Sequence, residues 1–173
     1  MKVIKTDIDA NSIDKAIGEL ESYREDFNKK LESFFKTLLE GGVQVANSYV
    51  ASTQGDSELP TVTRTAVDSR GDIIYAEIHL IGKDVLFVEF GAGIAYNTGM
   101  QHPKAAEFGY GIGTYPSKHP PNKAINPGWW IYDHEDDGSP IWSIGTEATM
   151  PMYHAAESMR NECIQKALDV FRS

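Results

Sequence analysis

The segment Asp133-His134-Glu135-Asp136-Asp137-Gly138 gathers four carboxylates and an imidazole into one short stretch. A hard divalent cation is held by several carboxylate oxygens, and a tight turn can converge them. His134, Glu135, Asp136 and Asp137, with His102 or His119 brought in from elsewhere, would on that basis make a small metal-dependent hydrolase. The spacing argues otherwise. There is no His-Glu-x-x-His helix, and no Asp-x-Asp-x-Asp-Gly run leading to a glutamate at the twelfth position. Acidic Asp-Gly clusters are ordinary solvated turns, so no metal and no cofactor is assigned to this one.

Other reactive groups fare no better. Cys163 is the single cysteine; it lies on an apolar helical pattern beside Ile164, where a thiol packs and stays inert. It has no partner for an intramolecular disulfide, so nothing requires an oxidising compartment. His102 and His119 stand beside prolines, with no Gly-x-Ser-x-Gly elbow and no Cys-His signature to pair with. Gly109, Gly111 and Gly113 lack the helix and the Lys-Ser/Thr of a phosphate loop. The residues therefore point away from catalysis.

One charge demands a physical explanation. Glu89 interrupts the apolar run Val85-Leu86-Phe87-Val88-Glu89-Phe90, which ends at Gly91-Ala92-Gly93. The run reads as a strand buried on both faces, and an unpaired carboxylate buried there is costly. A basic partner, or exposure at a sheet edge, is expected.

These residues need elements to carry them. Asn11 or Ser12 is a suitable N-cap, with Asp14 in the favourable first turn. Ile13, Ile17, Leu20, Phe27, Leu31, Phe34, Phe35, Leu38 and Leu39 then recur at helical spacing. Gly41-Gly42 is expected to stop or bend this long helix, with Val43 to Val50 continuing it or forming a second. Gln54 to Ser57 is a turn cluster in an exposed loop. Thr61–Val67, Ile73–Ile81 and the run at 85–90 are three successive strands joined by Ser69-Arg70-Gly71-Asp72 and Gly82-Lys83-Asp84, an antiparallel meander. A long loop, about 94–128, rich in Gly, Pro and aromatics, follows. Pro127–Tyr132 and Pro140–Gly145 form two aromatic strands. Thr149 caps a last helix that has Pro151 in its first turn and runs to about Phe171. The fold class is α+β: an antiparallel sheet packed against a long N-terminal helix and a C-terminal helix.

At 173 residues the chain suits a single domain, 1–173, with a real core. Its net charge of −9, from 16 Lys+Arg against 25 Asp+Glu, disfavours a phosphate-binding surface. No apolar run of membrane-spanning length and no signal-peptide pattern is present. A soluble chain with no membrane association is expected.

Two short motifs then give the chain a family likeness. Val88-Glu89-Phe90-Gly91, followed by a small residue and Gly93, and Thr149-Met150-Pro151-Met152-Tyr153 at the start of the final helix, resemble the small neck proteins of long-tailed bacteriophages. These are the head-tail joining or tail-component minor structural proteins. The order of long helix, meander, variable loop and C-terminal helix is similar too, and covers most of the chain. Where the family often has Thr-Gly-x-Leu after the first helix, this chain has Ser57-Glu58-Leu59-Pro60.

The resemblance implies a non-enzymatic virion protein, made in the host cytoplasm, that assembles with itself into a ring at the head-tail junction. Its neighbours would be head-closure and tail-terminator or tail-completion proteins. DNA would pass through the lumen without specific binding, as suits an acidic surface. Glu89, Phe90, Tyr96, Phe108, Tyr110, Tyr115, Trp129 and Trp130 are the residues expected at subunit contacts, where large aromatics concentrate.

Overall fold

The computed structural model describes residues 7, 9–55, 57–70, 73–93, 102–108, 128–132 and 139–172. The side chains of Ser69, Arg70, Trp129, Ile131 and Tyr132 lie outside that description. Most of the long loop, including Tyr96, Tyr110 and Tyr115, lies outside it as well, as does the acidic turn from Asp133 to Gly138.

Helix α1 runs from Ala10 to Ser52 without a break. Its cap is Asp9, ahead of the expected Asn11 or Ser12. The Asp9 carboxylate accepts the Ser12 N–H at 3.0 Å, and the Ser12 hydroxyl accepts the Asp7 N–H at 2.8 Å. The first bond satisfies a free donor of the first turn, and the second ties the preceding chain to it.

Gly41-Gly42 does not stop the helix, because helix α3 (Pro151–Arg172) crosses close to both glycines. A Cβ on Gly42 would lie 2.6 Å from Met159 Sδ and 2.7 Å from Ile78 Cδ1, and one on Gly41 would lie 2.7 Å from Lys166 Nζ. The propensity cost of about 1 kcal/mol per glycine is offset by this close packing. Lys166 uses the space beside Gly41 to donate to the Thr37 carbonyl at 3.4 Å while pairing with Glu162 at 3.0 Å. The hydrogen bonds from Lys166 and Ser158 hold the Glu162 carboxyl below the usual range.

Helices α1 and α3 are antiparallel. Tyr49 stacks on His154 near one end, and Phe27 and Phe34 meet Phe171 at the other. Phe34, Leu39, Ala46 and Val50 of α1 and Ala155 of α3 form the buried seam between them. The close approach at Gly42 has a measurable consequence. Gly42→Ala is expected to stay within about 1 kcal/mol of the native stability, since helix propensity gained offsets small shifts of two flexible side chains. Gly42→Leu is expected to lose about 2–3 kcal/mol through overpacking. Urea denaturation of the two variants checks both.

Beside α1 lies a single hairpin, in two paired pieces. β1 (Thr61–Arg64) pairs with β4 (Ile78–Ile81), and β2 (Asp68–Arg70) pairs with β3 (Ile73–Tyr75), both antiparallel. The break between them is bridged by the Thr65 N–H on the Glu77 carbonyl and by the Glu77 N–H on the Thr65 hydroxyl, each 2.9 Å. A threonine side chain there replaces a backbone acceptor.

The third strand of the expected meander is instead a short helix, α2 (Val85–Phe90). An apolar run of six residues satisfies either period, so the packing decides. Coiled as one and a half turns, the segment buries Val88 and Glu89 side by side and leaves Leu86 48% exposed. A pleated strand would send those two neighbours to opposite faces.

A second hairpin, β5 (Trp129–Tyr132) with β6 (Pro140–Ser143), matches the expectation of two aromatic strands. The architecture is thus mixed α+β, with a long N-terminal helix, a C-terminal helix and small antiparallel sheets. Among the described residues no helix is long and apolar enough to cross a membrane.

Candidate functional site

The Glu89 carboxylate is the point where distant parts of the chain meet. Its Oε2 accepts the Met152 N–H and its Oε1 accepts the Tyr153 N–H, both at 2.9 Å. These are the second and third residues of α3, whose first, Pro151, has no N–H to offer. The residue before the helix, Met150, has φ of 52° and no side-chain oxygen. Helix α3 therefore starts without a cap of its own, and a glutamate 63 residues earlier supplies it. A carboxylate at a helix N-terminus accepts free donors and opposes the positive end of the helix dipole. Thr149, expected to do this, instead pairs its hydroxyl with that of Thr53 at 2.8 Å, tying the approach to α3 onto the end of α1.

The expected basic partner of Glu89 is His102, with Nε2 3.4 Å from Oε1 and both side chains nearly buried. The Lys104 N–H donates to His102 Nδ1 at 3.0 Å. His102 thus presents Nδ1 to its own loop backbone and Nε2 to Glu89. Both ring nitrogens and both carboxylate oxygens therefore have neighbours. Of the two expected alternatives, exposure at a sheet edge is not found; Glu89 is 8% exposed at a junction of helices.

Around this pair runs a continuous aromatic row. Phe108 meets Phe90 at 5.6 Å, Phe90 meets the His102 ring edge-on at 4.6 Å, and His102 meets Tyr153 at 5.3 Å. Tyr153 then touches His154, which stacks at 4.0 Å on Tyr49. The row joins α1, α2, α3 and residues 102–108 of the loop. Underneath, Ala92 and Thr146 exchange two backbone hydrogen bonds of 3.0 Å, and the Thr149 N–H donates to the Val88 carbonyl at 3.1 Å.

Of the expected interface residues, Glu89, Phe90 and Phe108 come together here. Trp130 does not: it lies on the β5–β6 hairpin, edge-on to Trp142 at 5.1 Å. Trp129 is known by its backbone pairing with Ser143, and Tyr96, Tyr110 and Tyr115 fall outside the described residues. Phe108 and Trp130 keep more than half of their surface exposed, at 56% and 58%.

His154 and Tyr49 are not singled out by the sequence, Tyr153 enters only as part of a motif, and His102 only as a candidate metal-site histidine. The missing side-chain oxygen at Met150, directly before a helical proline, is the signal that an outside acceptor was needed. Among the described residues no cluster of three or more His, Cys, Asp or Glu could hold a metal ion; His119 and the acidic turn from His134 to Asp137 lie outside them.

The fold and this junction define a mixed α+β protein whose final helix is capped from a distance. No protein-family model, no curated protein and no solved structure matches the chain.

Proposed function

We propose that the chain is a structural virion protein of the neck class, forming an oligomeric ring at the junction between the head and tail of a long-tailed phage. The observation that carries this reading is the Glu89 cap. Val88-Glu89-Phe90-Gly91 and Thr149-Met150-Pro151-Met152-Tyr153 are the two motifs on which the resemblance rests, and they are bonded to each other through Glu89. Two weak motifs that form one structural device support a common origin better than two unconnected ones.

The surface suits the role. Phe108 and Trp130 are exposed aromatics of the kind that anchor subunit contacts. The net charge of −9 keeps non-specific DNA binding weak along a lumen. Head-closure and tail-completion rings are the proposed neighbours, and the role is non-enzymatic.

The test is made on particles. Mass spectrometry of purified virions is expected to detect the chain, and deletion of its gene is expected to leave filled heads and separate tails. Particles that lack the chain, together with undiminished infectivity after deletion, would refute the assignment.

A further inference from the structure

Among the described residues, the N-terminal part of α1 is largely uncovered. Every position from 20 to 29 is exposed, and Ile13, Ile17, Leu20, Tyr23 and Phe27 keep between 42 and 56% of their surface in solvent. α3 covers the α1 seam only as far as Phe171 on Phe27, then ends at Arg172. An isolated helix of this length is marginal in water, yet here it bears a full apolar stripe. Ile13, Ile17, Leu20, Arg24, Phe27, Leu31, Phe34 and Leu38 alternate spacings of four and three, an unbroken heptad seam with one charged position.

We propose that a second copy of this chain covers the stripe, its α1 lying antiparallel on the first. The seam is self-complementary about a point between Leu20 and Arg24. Antiparallel pairing sets Ile13 against the second copy's Leu31, Ile17 against its Phe27, and Leu20 against its Arg24, with each pair met twice. Arg24 forms no ion pair among the described residues. In this register it faces the edge that carries the other copy's Glu21, so the two arginines and two glutamates close a neutral cluster across the two-fold axis. A parallel pair would instead set Arg24 against Arg24 in an apolar seam, a costly like-charge contact.

The same register fits a groove of about 810 Å³ between α1 and the hairpin, in which Phe27, Leu31, Phe35, Val67 and Ile74 are flanked by charged residues of α1 and by Asp68. Leu31 lies in it, so Ile13 of the second copy enters there. A two-fold contact closes on itself, so this pair is the state of the free chain and not the ring contact; it stands independently of the virion reading.

Sedimentation equilibrium of the full chain is expected to show a concentration-dependent dimer of twice the chain mass. Changing Ile17→Asp together with Leu20→Asp is expected to weaken it about thirtyfold or more, the effect of losing one strong interface anchor. Circular dichroism should lose at most the signal of the uncovered first turns of α1, because both side chains are exposed in the single chain and the seam with α3 is untouched. On a Cys163→Ser background, Ile13→Cys chains mixed with Leu31→Cys chains should cross-link to each other, and Leu20→Cys chains alone should not. A monomer at every concentration overturns the pairing, and self-cross-linked Leu20→Cys without the mixed product overturns its antiparallel sense. Either failure leaves the particle test untouched.

Discussion

Replacing Glu89 by alanine is expected to destabilise the protein by about 3–4 kcal/mol. The carboxylate makes two charge-assisted hydrogen bonds to the backbone at the start of α3, and bonds of this kind each contribute roughly 1.5–3 kcal/mol. Alanine removes both, leaves the Met152 and Tyr153 N–H groups unmet in a part-buried site, and opens space beside His102. Glu89→Gln separates the contributions. The amide keeps one acceptor oxygen but turns an NH₂ toward donors and lacks the charge that opposes the helix dipole, so a loss of about 1–2 kcal/mol is expected.

His102→Ala should lose about 1–2 kcal/mol through its contacts with Phe90 and Tyr153. The double replacement should lose less than the sum of the two, since each residue faces the other. Thermal and urea denaturation followed at a helix wavelength give all four values. A loss below about 0.5 kcal/mol for Glu89→Ala would mean that water satisfies the α3 terminus and that the cap is incidental.

What could be read in the sequence divides along the range of the interactions. The period of α1, the pairing of the strands on either side of residues 71–72, the aromatic pair of strands and the Pro151 start of α3 are local signals, and each element exists. Errors came where a distant contact decides. Gly41-Gly42 looks like a stop because propensity counts only the helix itself, whereas Met159 and Lys166 pack into the space beside the two glycines. Val85–Phe90 looks like a strand because six apolar residues fit either period; the choice falls to whichever form lets Glu89 reach α3. Thr149 looks like the cap because it is the nearest hydroxyl, and the true acceptor is 60 residues before it in a different helix. Glu89 was legible as a residue needing a partner, but the partner's identity was not, since nothing local ties position 89 to positions 102, 152 and 153.

Gly145→Ala is expected to be the most disruptive single methyl addition near this junction, with a loss of about 4 kcal/mol. Gly145 has φ of +98°, where an L side chain is strained by about 1–3 kcal/mol. The new Cβ would overlap the Ala92 carbonyl oxygen. That obstacle is backbone, so no side chain can swing aside. Relief requires segments 92 and 146 to separate, which lengthens the paired 3.0 Å hydrogen bonds between Ala92 and Thr146. The cost of overpacking, about 1–3 kcal/mol, then adds to the strain. Those bonds position Gly91-Ala92 just after α2 and Thr149 just before α3, so the Glu89 cap should loosen with them. Amide exchange at Met152 and Tyr153 is therefore expected to accelerate in Gly145→Ala. Gly18→Ala is the control: nothing lies within 4 Å of its added methyl, on an exposed helix face. It should stabilise the protein by up to about 1 kcal/mol through propensity alone. Equal and small effects at the two positions would show that the 92–146 contact does not hold the two helix ends together.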